Sequence, residues 1–239
     1  MKATLYGSRL SPFVEKVARA LQMKGIDATT VDIKGPNDLK RWNPTTGKMP
    51  VLEIDGEKLI DSTLIVRRLD EIVPEPPLLS RDPEIAAKQR FVEDWSDESL
   101  YWYVMALRWS PENSKATVAQ LAAFLPALLR PLASIVFPRQ IGSLSRAQGL
   151  GRLPMTIVLD ELGRRFDELC VMLGERPFFF GDQVSVADLA VFGQLSTLRS
   201  GPTPQGARLL DAHPALAGLF DRVDAATGGR NAAQRRAAA

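Results

Sequence analysis

Ser11 is followed by Pro12, and the pair sits where an apolar run at helical period begins, with Val14, Val17, Ala18, Ala20 and Leu21 ahead of Gly25. Serine is a favoured N-cap residue and proline a favoured first helical residue, so the spacing predicts a helix that starts at Ser11. A hydroxyl at that end lies among unpaired backbone N–H groups and the positive end of the helix dipole. This setting favours a neighbouring anion such as a thiolate. Residues 2–6 read as a strand and 7–10 as the loop that delivers the serine. A dithiol exchange enzyme on the same framework would carry cysteines where Ser11 and Val14 stand. The only cysteine, Cys170, lies in a later helical pattern and reads as a small apolar packing residue. Exchange between the chain's own thiols is not expected.

A second constellation follows about forty residues on. Gly47-Lys48-Met49-Pro50 leads into a strand at 51–54, and Asp55-Gly56 turns it back into a strand at 58–60, a hairpin signal. Asp61-Ser62 then opens a helix whose apolar face is Leu64, Ile65, Leu69 and Ile72, with Ser62 able to cap it. A carboxylate ligand docked there would meet free N–H groups and a hydroxyl, and Asp61 could take an ammonium group.

These residues carry a resemblance. Ser11-Pro12-Phe13, then Lys48-Met49-Pro50-Val51-Leu52, then Asp61-Ser62 resemble the glutathione transferase superfamily, and serine in the first slot is similar to its tau class. The resemblance implies an α/β thioredoxin-like N-terminal domain followed by an all-α C-terminal helical domain. It implies glutathione as co-substrate, no metal, and Ser11 hydrogen-bonded to the glutathione sulfur. Met49, before a cis Pro50, would hold the peptide through its backbone. Arg41 and Lys48 would face the glycyl carboxylate, and Asp61 and Ser62 the γ-glutamyl end. A homodimer is a further implication. Later segments, Ala106-Leu107-Arg108-Trp109, a stretch at 146–152 and another at 173–182, are similar to the failed-axon-connections and metaxin-like branch. That likeness admits an alternative: a glutathione-binding carrier or interaction protein with little turnover.

Length and composition frame this reading. A chain of 239 residues can hold two modest domains, and the Pro-rich 77–83 reads as the linker between 1–76 and 84–228, with 229–239 as a frayed, Ala- and Arg-rich tail. The formal net charge of +2 and the lack of a basic run interleaved with aromatics argue against a nucleic-acid partner. One cysteine and no apolar leader make a reducing cytoplasm the expected setting. In the second half, 84–109 reads as one long helix and 115–137 as a helical stretch broken at Pro126 and Pro131. An Arg-containing loop is expected at 138–153, with further helices at 155–173, 186–198 and 215–226. Ser185 and Asp188 stand at capping-box spacing.

Several residues have competing readings. Tyr6 and Ser8 are rivals to Ser11, because a tyrosine at the end of the first strand can also activate a thiol. Tyr101, Trp102, Met105 and Trp109 crowd one helix beyond what a single buried stripe needs. With Leu10 and Phe13 they form a candidate wall for a small apolar electrophile, while core packing explains any one of them equally well. The apolar 118–137 carries Gln120, Arg130 and two prolines, so core helices are a better reading than a membrane span, with peripheral contact through Arg139, Arg146 and Arg152 left open. His213, the sole histidine, leaves no histidine-based metal cluster and reads as a helix start.

Overall fold

In the computed structural model, which describes residues 1–228 apart from Pro36 and Phe124, the first third of the chain forms a four-stranded sheet. Strands β1 (Ala3–Tyr6), β2 (Ala28–Val31), β3 (Val51–Ile54) and β4 (Glu57–Ile60) lie in the order β2-β1-β3-β4. β1 and β2 are parallel and the other pairs antiparallel, with Tyr6 opposite Val51 and Val51 opposite Ile60. The β3–β4 hairpin turns at Asp55-Gly56, both at positive φ as a tight two-residue turn requires. Helices α1 (Pro12–Met23), α2 (Asp38–Trp42) and α3 (Ser62–Ile72) complete a thioredoxin-like domain. β2, α2 and the residues joining them were not separated by the apolar pattern, because both elements are short.

The remainder is helical. α4 (Pro83–Trp95) is capped by Asp82, whose carboxylate accepts from Glu84 N at 2.8 Å and Ile85 N at 3.1 Å, and it begins at the proline itself, one residue before the expected boundary. A π-helical turn, Ser96–Leu100, joins it without a break to α5 (Tyr101–Arg108), so the expected long helix is present with one wide turn in it. α6 (Ser114–Ala122) and α7 (Arg130–Gln148) follow. The loop expected at 138–153 is corrected by α7, which runs through Pro138 to Gln148; only a short 3₁₀ turn, Leu150–Arg152, separates it from α8 (Met155–Leu173). α9 (Val186–Ser200), α10 (Pro204–Asp211), which has no counterpart in the sequence reading, and α11 (Pro214–Ala226) end the fold. The tail expected at 229–239 lies outside the described residues. No helix among the described residues is long and apolar enough to cross a membrane.

The core is continuous between the two parts. α1 buries Val14, Val17 and Leu21 toward the sheet side, but its charged residues Glu15, Lys16 and Arg19 are equally buried because the helical part covers them. α9 comes so close to the start of α1 that a Cβ on Gly193 would meet the Pro12 carbonyl oxygen at 2.5 Å, so only glycine fits there. Ser185 and Asp188 form the expected capping box, and Asp188 also accepts from Phe179 N at 2.9 Å, pinning the chain that enters α9. The Pro-rich connection is anchored as well: Leu78 is fully buried, its N–H donates to Asp70 at 2.9 Å and its carbonyl accepts from Val186 N.

Candidate functional site

β1 ends at Tyr6, and Gly7, at φ +132, turns the chain toward α1. A Cβ there would strike Val14 at 2.7 Å and Met49 at 3.0 Å, so glycine lets the loop before Ser11 lie against the loop before β3. Ser8 holds the turn: its carbonyl accepts from Ser11 N at 2.9 Å and its hydroxyl from Leu10 N at 3.4 Å. Ser11 occupies the N-cap position in extended conformation, half-buried, and its side chain makes no capping hydrogen bond. The hydroxyl is therefore placed at the helix N-terminus without being spent on it.

The facing loop is fixed from below. Buried Asn43 donates to the Lys48 carbonyl at 3.1 Å and to Thr46 Oγ1 at 2.6 Å, and the Met49–Pro50 peptide is cis. At the next helix start, Asp61 rather than Ser62 is the cap: its Oδ1 accepts from Thr63 N at 3.0 Å and Leu64 N at 3.2 Å, while Ser62 is the first, buried, helical residue. Asp61 sits at φ +72, a conformation that costs a non-glycine residue about 1–3 kcal/mol and persists where the surroundings hold it, often at ligand sites. A cleft of about 410 Å³ runs past these groups, with Phe13, Lys48, Met49, Pro50, Asp61 and Ser62 along one side. Arg41 is not among its lining residues; its exposed side chain pairs with Asp38 at 3.0 Å.

The opposite wall was not foreseen. It is built from α4 and the π-helical turn, which present Arg90, Glu93, Asp94, Asp97 and Glu98. Beneath it lies Lys16, fully buried, with its Nζ 2.6 Å from Glu93, 2.7 Å from Asp97 and 3.2 Å from Thr63 Oγ1. One ammonium thus joins α1, α3, α4 and the π turn. Burial opposes its charge, yet the two carboxylates outweigh that and hold the lysine above its ordinary pKa. Burial pushes the Asp97 carboxyl up, against the opposing pull of Lys16, and its Oδ1 has no hydrogen-bond partner among the described residues. The available signal was the acid-rich run from Glu93 to Glu98, but its partner is a lysine about eighty residues earlier, which no local pattern connects.

Of the expected apolar wall, the structure brings three rings together. Phe13 lies 5.1 Å from Tyr101, and Tyr101 lies 5.2 Å from Trp102, at the tilted and edge geometries such pairs favour. Met105 is buried one turn further along α5, Trp109 is half-buried at its end, and only Phe13 of the set lines the cleft. Leu10 borders instead a second, very small cavity beside Arg108. Tyr6 is occupied elsewhere: its hydroxyl donates to Glu53 at 3.1 Å and its ring packs on Trp42. Burial and the neighbouring Glu53 push its pKa up, the wrong direction for a group meant to stabilise an adjacent anion by readily sharing its proton. Cys170 is half-buried and burial raises its thiol pKa, so it is a poor nucleophile. Among the described residues no group of histidines, cysteines and carboxylates could hold a metal ion.

Comparison with known proteins agrees with this geometry. A model of the glutathione S-transferase N-terminal domain matches residues 5–77, and one of the glutathione S-transferase C-terminal domain matches 163–223. Glutathione transferase GST 23 of Zea mays is 39% identical over 103 residues, 40% of this chain and 46% of that one. The isoprene-epoxide–glutathione S-transferase of Rhodococcus is 25% identical over 90% of this chain and 91% of its own length. Failed axon connections of Drosophila melanogaster is 29% identical over 79% of this chain. Matches to the maize and Drosophila relatives span less than half of those proteins, 46% in each case. The β-etherase LigF of Sphingobium shares the fold over the full length of both chains, with a TM-score of 0.71 at 21% identity. With both domain models matched, over 5–77 and 163–223, the chain belongs to the glutathione transferase superfamily.

Proposed function

We propose that this chain conjugates glutathione to small apolar electrophiles and that Ser11 activates the thiol. The observation that carries the reading is the Ser11 hydroxyl, set at the N-terminus of α1 and unused by the cap; Ser11 is not itself among the residues lining the cleft, but Phe13 of the same helix start is, together with Lys48, Met49, Pro50, Asp61 and Ser62. A hydroxyl donating to sulfur, together with unpaired N–H groups, favours thiolate over thiol and so lowers the thiol pKa without any covalent step at the serine. Lys48 supplies a cation for the glycyl carboxylate. The N-terminus of α3 suits the γ-glutamyl carboxylate, and the carboxylates of Asp61 and the α4 wall suit its ammonium. The Rhodococcus relative, whose name joins an epoxide to glutathione, aligns with nine-tenths of this chain and supports the activity.

A second reading, a glutathione-binding carrier with little turnover, draws on one observation: the cleft is lined mainly by charged and polar groups, and only Phe13 of the expected apolar wall reaches it. Calorimetric titration with glutathione, followed by turnover against a panel of aryl halides, benzyl halides, enones and epoxides, separates the two. Binding with turnover supports the transferase, binding without turnover favours the carrier, and absence of binding removes both.

A further inference from the structure

α7 carries Leu132, Ile135, Val136, Phe137, Ile141 and Leu144, yet none of them belongs to the buried apolar core. The helix rests on α5 and α6 with Gly142 and Ser145 turned inward, and much of its apolar surface faces out. Leu132 is 60% exposed, Ile135 57% and Leu144 55%; Leu128, in the 3₁₀ turn Ala127–Leu129 just ahead of the helix, is 91% exposed. Leu153 and Ile157, on either side of the start of α8, are exposed as well. Single exposed leucines are ordinary, but six of the eleven large apolar side chains that stand exposed among the described residues fall in this one segment.

Charge is distributed as unevenly. From Asn113 to Leu159 the sequence has no aspartate or glutamate, while Lys115, Arg130, Arg139, Arg146 and Arg152 give the segment five positive charges in a chain whose formal net charge is +2. The rest of the molecule is therefore net negative. At about 100° per residue, Leu132, Ile135, Arg139 and Arg146 fall within about 60° of one another around α7, so apolar and cationic residues share one exposed face. Arg139 donates to the Ile135 carbonyl at 3.1 Å and Arg152 to the Arg146 carbonyl at 2.6 Å, and neither pairs with a carboxylate among the described residues.

A face of this composition suits one kind of surface. A second copy of the chain would bring the same positive charge against it, and a phosphate backbone would satisfy the arginines but leave the leucines in water. A lipid surface with anionic headgroups satisfies both: the arginines reach the headgroups while their apolar neighbours enter the acyl boundary. No helix among the described residues is long and apolar enough to cross a membrane, so the contact is with one leaflet. We propose that the face formed by Leu128, Leu132, Ile135, Arg139 and Arg146 docks the protein on a membrane surface bearing anionic lipid, with α7 lying along it. The docking is independent of the chemistry at Ser11.

Flotation of the full chain with vesicles of phosphatidylcholine, alone or with about one third phosphatidylserine, reads the docking. The wild type should partition onto the anionic vesicles at least about tenfold more strongly than onto the zwitterionic ones, and high salt should release it. Arg139→Gln combined with Arg146→Gln and Arg152→Gln should lower partitioning about a hundredfold, and Leu132→Ser with Ile135→Ser about tenfold, each at an unchanged thermal midpoint. No binding by the wild type, equal binding to both kinds of vesicle, or undiminished binding by either variant overturns the proposal. Soluble poly-glutamate stands in for an acidic protein: wild-type binding to it as tight as to the anionic vesicles, and insensitive to Leu132→Ser with Ile135→Ser, overturns the lipid assignment. A dimer seen by sedimentation and dissolved by both variants does the same. Should the triple variant not fold, Arg139→Gln alone, expected to lose about fivefold and overturning the proposal if unchanged, decides the matter.

Discussion

Lys16 and Arg108 are both buried cations, and they are buried for opposite reasons. Lys16 lies under the cleft with two carboxylates and a hydroxyl around it, joining three helices and the π turn. Arg108 lies beside Leu10, whose backbone carbonyl is the one hydrogen-bond partner of its guanidinium among the described residues. Removing one member of a compensated buried pair strands the other charges, whereas removing Arg108 strands no charge and leaves only the Leu10 carbonyl without this hydrogen bond. The first region is a seam that holds the domains in register; the second is a place where stability has been given up. The charge seam ties the cleft's two walls directly.

The sharpest way to break this contrast is Lys16→Met. It should destabilise the fold by about 3–5 kcal/mol, measured as a lower denaturant midpoint, because Glu93 and Asp97 are left facing each other in a buried site. Combining it with Glu93→Gln and Asp97→Asn should recover much of the loss; an unchanged midpoint in the single variant would mean that the seam is not one. Ser11→Ala comes next, with turnover falling about a hundredfold, glutathione affinity changing much less, and the absorbance titration of bound thiolate moving to higher pH. A titration that stays in place would shift the role to Ser8 or to backbone donors. Arg108→Met should raise the thermal midpoint, by an amount corresponding to about 1–4 kcal/mol, in direct opposition to Lys16→Met; a lower midpoint would show that Arg108 is structural. Asp61→Ala should weaken glutathione binding by about tenfold and cost about 1 kcal/mol of stability through the lost cap, read by calorimetry and melting.

The smallest expected effect is on pH dependence. Lys16 and Asp97 both have folded pKa values above their ordinary ones, so both bind protons more tightly when folded. The contribution of Lys16 is complete at neutral pH and is lost as pH rises through its folded value in the alkaline range. That of Asp97 is complete only below the ordinary aspartate range and is lost as pH rises through its folded value. Thermal midpoints followed across pH should therefore show a decline, setting in as pH rises from the ordinary aspartate range, that Asp97→Asn removes. A decline that persists in Asp97→Asn would place its origin in another group.

What the sequence reveals of this architecture is whatever is written in neighbouring residues. The start of α1 at Pro12, the Asp55-Gly56 turn, the cap of α9 and the limits of α8 all follow from adjacent residue types, and each appears in the structure. Pro138 misleads because proline within a helix is disfavoured locally, yet α7 carries it through. α10 is only eight residues long and its helical pattern is too brief to stand out. Of the residues expected to form the site, Met49, Pro50, Asp61 and Ser62 line the cleft and Ser11 stands at the start of α1, placements legible in the sequence because a helix start and a hairpin fix them. Lys16 with Glu93 and Asp97, and Arg108 with Leu10, were not legible, since each association joins residues some eighty or more positions apart and depends on how two domains pack. Arg41 shows the converse: chemistry suited to the cleft on a helix that points it at Asp38.

The π-helical turn at Ser96–Leu100 acts as a phase shift. A turn that accommodates one residue more than an α-helical turn rotates everything after it by roughly 100° relative to an uninterrupted helix. α4 presents its acidic face to the cleft, and after the shift α5 presents Tyr101, Met105 and Arg108 along its own face. Deleting a single residue within the turn would leave Arg90, Glu93 and Asp94 of α4 where they are, displace Asp97 and Glu98 within the turn, and swing the aromatic and cationic face out of alignment with Phe13 and Leu10. One inserted residue thereby lets two faces of the same continuous helix be aimed in different directions, with Asp97 and Glu98 at the joint between them.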